Sequence, residues 1–303
     1  MSLIGTLGSG VSALRTFMKG LEVIGNNIAN VNTTGFKSSS AQYADSFSNI
    51  LQRSAPSASP SSNTPGIEVG TGVKLLGVRT SFAQGSLEST GMVTDLGVSG
   101  EGYFHVRNPI DGTEFATRDG SFRWDDKGYL VTTQGYHVVG MAGGTPALVG
   151  PPAVAAVPPS AVGDIKLATP PAGTQLQSVT INRSGDIIEF YSDGSSATNN
   201  QLLLQRFSDP SALVKEGSNL LSGLLSAGPI GAAAGSSALQ AGAVNSPGAN
   251  GLGAIQSGTL ELSNVDLTDQ FANLITTQRS FQAGSRLITV SDTILDDIVN
   301  LKR

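Results

Sequence analysis

Apolar residues Ile4, Leu7, Val11, Leu14, Met18 and Leu21 stand alternately three and four positions apart, and Ile24, Ile28 and Val31 continue the stripe after a one-residue slip. That is the spacing of the a and d positions of a coiled coil, and it predicts an amphipathic helix within residues 1–32. Towards the other end Leu267, Phe271, Leu274, Phe281, Ile288 and Leu295 keep the same seven-residue phase, with gaps at Gln278, Ser285 and Asp292, while Ile294, Ile298 and Leu301 carry a neighbouring stripe. A second helix is predicted there. Ser263 and Asp266 read as a capping box at its start, and Lys302 and Arg303 suit the negative end of its dipole.

The middle of the chain changes period. Short β-like runs cover Val69–Phe82, Tyr103–Arg107, Phe115–Arg118, Phe122–Trp124, Tyr129–Val131, Tyr136–Val139, Val179–Ile181, Ile187–Tyr191 and Leu202–Phe207. Asp111-Gly112, Asp119-Gly120, Gln134-Gly135, Ser184-Gly185 and Asp193-Gly194 punctuate them as hairpin turns. The expected fold class is therefore α+β, with a discontinuous, coiled-coil-like pair of terminal helices and a central antiparallel β-rich domain. Low-complexity Ser/Pro, Ala/Pro/Gly/Val and Gly/Ser/Ala stretches at 54–65, 142–163 and 222–258 read as loops or connectors. The expected division is 1–32 with 258–303 as the helical part, 33–66 as an extended connector, and 67–257 as the β-rich part with loops at 142–163 and 222–257.

The first helix carries a conflict. Gly5, Gly8, Gly10, Gly20 and Gly25 each cost about 1 kcal/mol relative to Ala inside a helix, so alone the segment should be largely disordered. Burying its apolar stripe, at roughly 1.5–3 kcal/mol per large side chain, offsets that cost only against other helices. Those are the C-terminal helix or helices of neighbouring copies, and ordering on assembly follows.

Composition narrows the function. Charged residues are 14% of the chain, and Gly 38 with Pro 14 make up about 17%, which marks a turn-rich chain of short elements. A net charge of −5 with no Lys/Arg run leaves no footprint for nucleic acid or an anionic membrane surface. Cysteine is absent, so disulfides and thiolate chemistry are excluded. No run of 18 apolar residues suggests membrane insertion. The start lacks the charged, apolar and small-residue segments of a secretory signal, so any export is expected to need no cleaved peptide.

Candidate chemistry is thin. His105 and His137 lie in strand-like runs without acidic residues at ligand spacing, and no phosphate loop or Gly-x-Ser-x-Gly elbow occurs. Gly97–Gly102 lacks the Gly-x-Gly-x-x-Gly spacing and reads as a turn. Asp125-Asp126 and Asp296-Asp297 read as solvated charge, and Trp124 as a sheet residue. No catalytic residue, metal site or cofactor is expected, and the chain is not expected to be an enzyme.

The run Val23-Ile24-Gly25-Asn26-Asn27-Ile28-Ala29-Asn30-Val31-Asn32-Thr33-Thr34-Gly35-Phe36-Lys37 resembles the N-terminal signature of the bacterial flagellar rod and hook protein family. Gly258, Leu260-Glu261, Ser263–Leu267, Gln278–Ala283 and Val299-Asn300-Leu301 are similar to the family's C-terminal end. Gly70–Val73, Gly85–Leu87, Gly100–Phe104, Thr117–Phe122 and Gly128–Val131 are similar to its β-domain landmarks. The resemblance covers 1–140 and 258–303 well and 141–257 weakly.

The resemblance implies a structural axial protein of the flagellum, lying in the hook or basal body outside the cell after passage through the flagellar type III export apparatus. Its implied partners are copies of itself in a helical homopolymer and neighbouring axial proteins: distal rod, hook cap and hook–filament junction. The assembly contacts would be Ile4, Leu7, Val11, Leu14, Met18, Leu21, Ile28, Phe271, Leu274, Phe281, Ile288 and Leu295. Asn26, Asn27, Ile28, Ala29, Asn30, Asn32, Thr34, Gly35, Phe36 and Lys37 form the motif, whose amides suit a helix exit, with an Asn or Gly35 taking a left-handed conformation.

Within the family, the ending Ile298–Arg303 and the Tyr43–Phe47 run look more like the hook member, a curved universal joint that transmits torque from motor and rod to filament. The Ser54–Pro65 linker and short outer region are compatible with the distal rod member. A secreted adhesin, a surface-layer subunit or a β-helix lyase would share the low charge and the glycine, yet none explains heptads at both ends.

Overall fold

The computed structural model describes residues 3–54, 63, 65–142, 161–170, 173–232, 239 and 244–300. Two helices, α1 (Leu3–Ala29) and α2 (Leu267–Asn300), flank a chain otherwise built of antiparallel strands, an α+β fold. Contacts divide it into two units: Met1–Asn30 with Ser38–Ser81 and Val265–Arg303, and Val31–Lys37 with Phe82–Asn264.

In the helical unit α1 and α2 run antiparallel. Thr6 and Ser291 hydroxyls are 3.5 Å apart, Leu14 packs over Gly284, and Asn27 donates to Gln270 Oε1 at 3.0 Å, so one helix rises as the other falls. The N-cap of α2 is Asp266, whose Oδ1 accepts from Thr268 N at 2.8 Å and Asp269 N at 3.4 Å. Lys302 and Arg303 lie outside the described residues. At the end of α1, Asn30 Nδ2 donates to the carbonyl and to Oδ1 of Asn26, both at 2.9 Å, beside the Asn30 N–H that reaches the same carbonyl at 3.2 Å.

Strands β1 (Ser39–Asp45), β2 (Ser48–Gln52), β3 (Ile67–Gly70) and β4 (Val73–Thr80) complete this unit, with β1 pairing β4 and β2 pairing β3. Residues 39–52 of the stretch expected to be an extended connector form one arm of a long hairpin. Residues 55–62 and 64, which carry most of the Ser/Pro segment, lie outside the described residues. Ser12 Oγ accepts from Val73 N and Thr16 Oγ1 donates to Val73 O, each at 3.3 Å, which ties the hairpin to α1.

The β unit is a thirteen-stranded antiparallel sheet. Its main path runs Leu176–Ile181, Asp186–Tyr191, Ser196–Leu202, His137–Ala142, Tyr103–Arg107, Glu114–Thr117, Leu220–Ser222, Val214–Gly217. Two short pairs stand apart from it: Leu87–Ser89 with Thr259–Glu261, and Leu96–Ser99 with Ala254–Ser257. The core gathers Leu96, Phe104, Val106, Leu130, Ile187, Leu202 and Ile255, and the Phe104 and Phe122 rings meet edge to face at 5.1 Å. Each such side chain contributes roughly 1.5–3 kcal/mol by burial. Trp124 packs against this cluster.

Asp111-Gly112, Gln134-Gly135, Ser184-Gly185 and Asp193-Gly194 each have their glycine at positive φ, as expected of turns. Asp119-Gly120 is different. Gly120 is needed because a Cβ there would run into the Leu96 carbonyl oxygen, where the chain passes close to another strand.

Candidate assembly surface

The helix pair buries a seam that only half matches the apolar stripe. On α1, Leu7, Leu14, Leu21 and Ile28 are half-buried, and so are Phe17 and Ile24, while Gly10, Gly20 and Asn27 are buried. On α2, Leu274, Phe281, Ile288 and Leu295 are half-buried, and between them stand Gln270, Thr277, Gly284 and Ser291. The heptad is real, but one of its two positions is filled by small or polar residues. Gly10 is where Ile288 rests: a Cβ added there would sit 3.1 Å from its Cγ1. Gly284 likewise admits Leu14, and Gly20 admits the Tyr43 hydroxyl. These glycines cost helix propensity through backbone entropy, and their missing Cβ lets neighbours approach.

Val11, Met18 and Phe271 stand apart from the other stripe residues. They do not enter the seam, and Phe271 is 50% exposed. At 100° per residue they fall beside it, because the true partner positions carry no large apolar group to count. The Ile4 side chain lies outside the described residues. The helices therefore leave apolar surface uncovered: Val11 and Met18 on α1, and Leu267, Phe271, Ile275, Leu287, Val290, Ile294, Ile298 and Val299 on α2. The hairpin adds Phe47, Ile50, Leu51, Ile67, Leu76 and Val78. A surface this apolar marks a site that other protein covers.

The signature residues serve two places. Asn27 is a clamp in the helical unit: its Oδ1 accepts from Ser39 N at 2.9 Å and its Nδ2 donates to Ser39 O at 2.7 Å, continuing the β ladder with a side chain. Asn26, Ala29 and Asn32 are exposed. In the β unit Gly35 takes the left-handed conformation at φ 66°, its N–H donates to Glu261 O at 2.7 Å, and a Cβ would lie 2.8 Å from Asp119 N. Thr34 donates to Asp119 Oδ1 at 3.0 Å, and Phe36 is buried with Lys215 Nζ 4.8 Å from its ring centroid.

Lys37 then meets two residues whose charges give no sequence pattern. Its ammonium donates to Glu261 Oε1 at 2.7 Å and Ala83 O at 2.8 Å. Glu261 Oε2 accepts from Arg118 Nη1 at 3.0 Å, and Oε1 also accepts from Gly85 N at 2.9 Å. Glu261 has no exposed surface, and Lys37 and Arg118 are nearly as deeply buried. Burial holds the Lys37 ammonium below the usual lysine range, opposed by Glu261 and reinforced by Arg118. The triad joins three distant stretches of chain, and no sequence period connects them.

The two histidines sit in different surroundings. His105 is fully buried with both ring nitrogens lacking hydrogen bonds, and burial lowers its pKa to about 4 despite Glu114 nearby. His137 Nδ1 is 2.9 Å from Asp164 Oδ2, and its ring stacks on Tyr129 at 4.5 Å. Among the described residues no cluster of three His, Cys, Asp or Glu could hold a metal, and no helix is long and apolar enough to cross a membrane.

The architecture, a helical pair with uncovered apolar flanks and a β unit formed by residues 31–37 and 82–264, is that of a subunit built to be packed among others. Three family models match it: "Flagella basal body rod protein" over 7–37, "Flagellar hook protein FlgE/F/G D1 domain" over 97–189, and "Flagellar basal body rod FlgEFG protein C-terminal" over 256–301. The flagellar basal-body rod protein FlgG of Bacillus subtilis (strain 168) is 37% identical over 301 residues, spanning 99% of this chain and 100% of its own length. That of Borreliella burgdorferi is 32% identical over 304 residues, 100% of this chain and 99% of its own. The flagellar hook protein FlgE of Helicobacter mustelae is 40% identical over 139 residues, 46% of this chain and 31% of its own. The chain belongs to the flagellar rod and hook axial protein family, whose members are structural components of the flagellum.

Proposed function

We propose that the chain is a subunit of the distal rod of the flagellar basal body rather than of the hook. The observation that carries this reading is coverage: the likeness to rod proteins runs end to end, whereas the likeness to a hook protein takes in less than half of either chain. The ending and the Tyr43–Phe47 run, which favour the hook, are short by comparison. In the rod, copies of the chain polymerise through the apolar flanks of α1 and α2, with the β unit and the β1–β4 hairpin making further contacts. The subunit passes through the flagellar export apparatus, meets other axial proteins at the two ends of the rod, and serves no catalytic role.

A rod transmits torque as a straight shaft, and a hook bends. Basal bodies isolated from cells whose only copy is this chain should show a straight, stiff tube in electron micrographs. A curved, flexible tube would return the assignment to the hook.

A further inference from the structure

We propose that Ile110 and Asp111, at the tip of the hairpin formed by Tyr103–Arg107 and Glu114–Thr117, dock into a cleft at the foot of the same hairpin in a second copy of this chain. This deepens the polymer reading above and rests on it.

The tip is an exposed knob. Ile110 is 88% exposed, more than any other large hydrophobic side chain among the described residues. It is not a loose loop: Asn108 Oδ1 accepts from Ile110 N at 3.0 Å, Asn108 Nδ2 donates to Asp111 Oδ2 at 3.2 Å, and Asn108 N donates to Thr113 O at 2.8 Å. A rigid turn that holds an isoleucine in water gains from a partner that covers it, and loses little entropy when covered.

The cleft has a volume of about 340 Å³, and its lining includes Phe82, Tyr103, Phe207 and Ile230 together with Arg118, Arg206 and one acidic residue, Glu101. Its aromatic floor is packed in advance, with Tyr103 and Phe207 centroids 5.6 Å apart and Phe82 edge-on to Tyr103 at 6.4 Å. Burial pushes the Tyr103 phenol up to about 12, so it stays neutral. Arg118 is buried and already engaged by Glu261 and the Gly100 carbonyl, so the cation open to a ligand is Arg206. Arg206 has only a long, exposed contact to Glu101, 3.7 Å, which an incoming carboxylate can displace. An aliphatic side chain followed by a carboxylate fits an aromatic floor with an arginine rim, and Ile110-Asp111 has that chemistry.

Placement decides between a closed pair and a chain of copies. Tyr103 opens the strand and Asn108 follows its end, so knob and cleft lie at opposite ends of one hairpin, about 15 Å apart along the strand. Because knob and socket are different surfaces, each copy can offer its knob to one neighbour and its socket to another, a head-to-tail contact that propagates wherever the rotation between copies does not close.

The test uses the absence of cysteine from the chain. Ile110→Cys and Ser208→Cys, the latter at the cleft, are introduced separately and together, and isolated basal bodies are treated with a short bismaleimide. The double variant should give a ladder of covalent multimers and each single variant only monomer. Asp111→Arg should cut rod yield tenfold or more, and adding Arg206→Glu should restore it. Secreted monomers of each variant should keep native Trp124 fluorescence. Rods of normal yield without a ladder would overturn the docking while leaving the rod reading intact. A ladder from Ile110→Cys with Leu51→Cys instead would place another surface in that role and also overturn it. Absence of any tube from the unsubstituted chain would overturn the rod reading itself.

Discussion

Replacing Glu261 with Gln keeps the shape and one acceptor of the side chain but leaves Lys37 and Arg118 buried without a counter-charge. Breaking a buried ion pair from one side typically costs 3–5 kcal/mol. An independent bound comes from Lys37, which can escape by losing its proton. From the ordinary lysine pKa near 10.4, deprotonation at pH 7 costs about 5 kcal/mol, and burial already favours the neutral form. The expected loss is therefore about 3–5 kcal/mol at pH 7. Trp124 is the single tryptophan and packs on the core of the β unit, so its fluorescence follows this unit alone. With a urea slope of roughly 1–3 kcal/mol/M, the midpoint should fall by about 2 M. The gap should narrow as pH rises towards 9, because the unfolded lysine then holds its proton less tightly while the folded variant has already released it. Triple replacement of Lys37, Arg118 and Glu261 by Met, Met and Leu should cost less than Glu261→Gln alone. A midpoint shift below about 0.3 M for Glu261→Gln would refute the account.

Leu14→Asp or Phe281→Asp should abolish polymerisation with the Trp124 signal unchanged; normal tubes from either variant would show that the seam is not needed. Gly10→Leu must displace Ile288 and should destabilise the helix pair by about 1–3 kcal/mol, read as a loss of helical circular dichroism on heating, whereas Gly5→Ala, with open space around it, should be neutral or stabilising. His105 gives a pH dependence. Its folded pKa of about 4 lies below the ordinary 6.5, so between these values the unfolded chain takes up a proton that the folded chain refuses. Stability of the β unit should therefore fall by about 3 kcal/mol as pH drops from 6.5 to 4, and His105→Gln, which leaves Glu114 and Arg107 in place, should lack that share of the slope in urea titrations followed by Trp124.

The heptad spacing of Leu7, Leu14, Leu21 and Leu274, Phe281, Ile288 announces two helices with matching faces, because a 3.6-residue turn returns side chains to one side of a cylinder whatever surrounds it. The strands from Tyr103–Arg107 to Leu204–Phe207 are legible in the same way, from alternation and from turns such as Asp193-Gly194. The chain's place among flagellar axial proteins is legible in the Asn26–Lys37 signature. Three-dimensional contact decided the rest. Val11, Met18 and Phe271 look like seam residues, yet the seam closes through Gly10, Thr277, Gly284 and Ser291, since close approach of two helices rewards the absence of a side chain, which a count of apolar residues passes over. The strands Ser39–Asp45 and Ser48–Gln52 hid in a polar stretch because their stability comes from pairing with Val73–Thr80 and Ile67–Gly70. Lys37, Arg118 and Glu261 fall in three separate motif stretches that no spacing links. Only a fold that brings residues 37 and 261 to 2.7 Å makes them one buried group, because electrostatic energy depends on distance through space and on exclusion of water, neither of which is written along the chain.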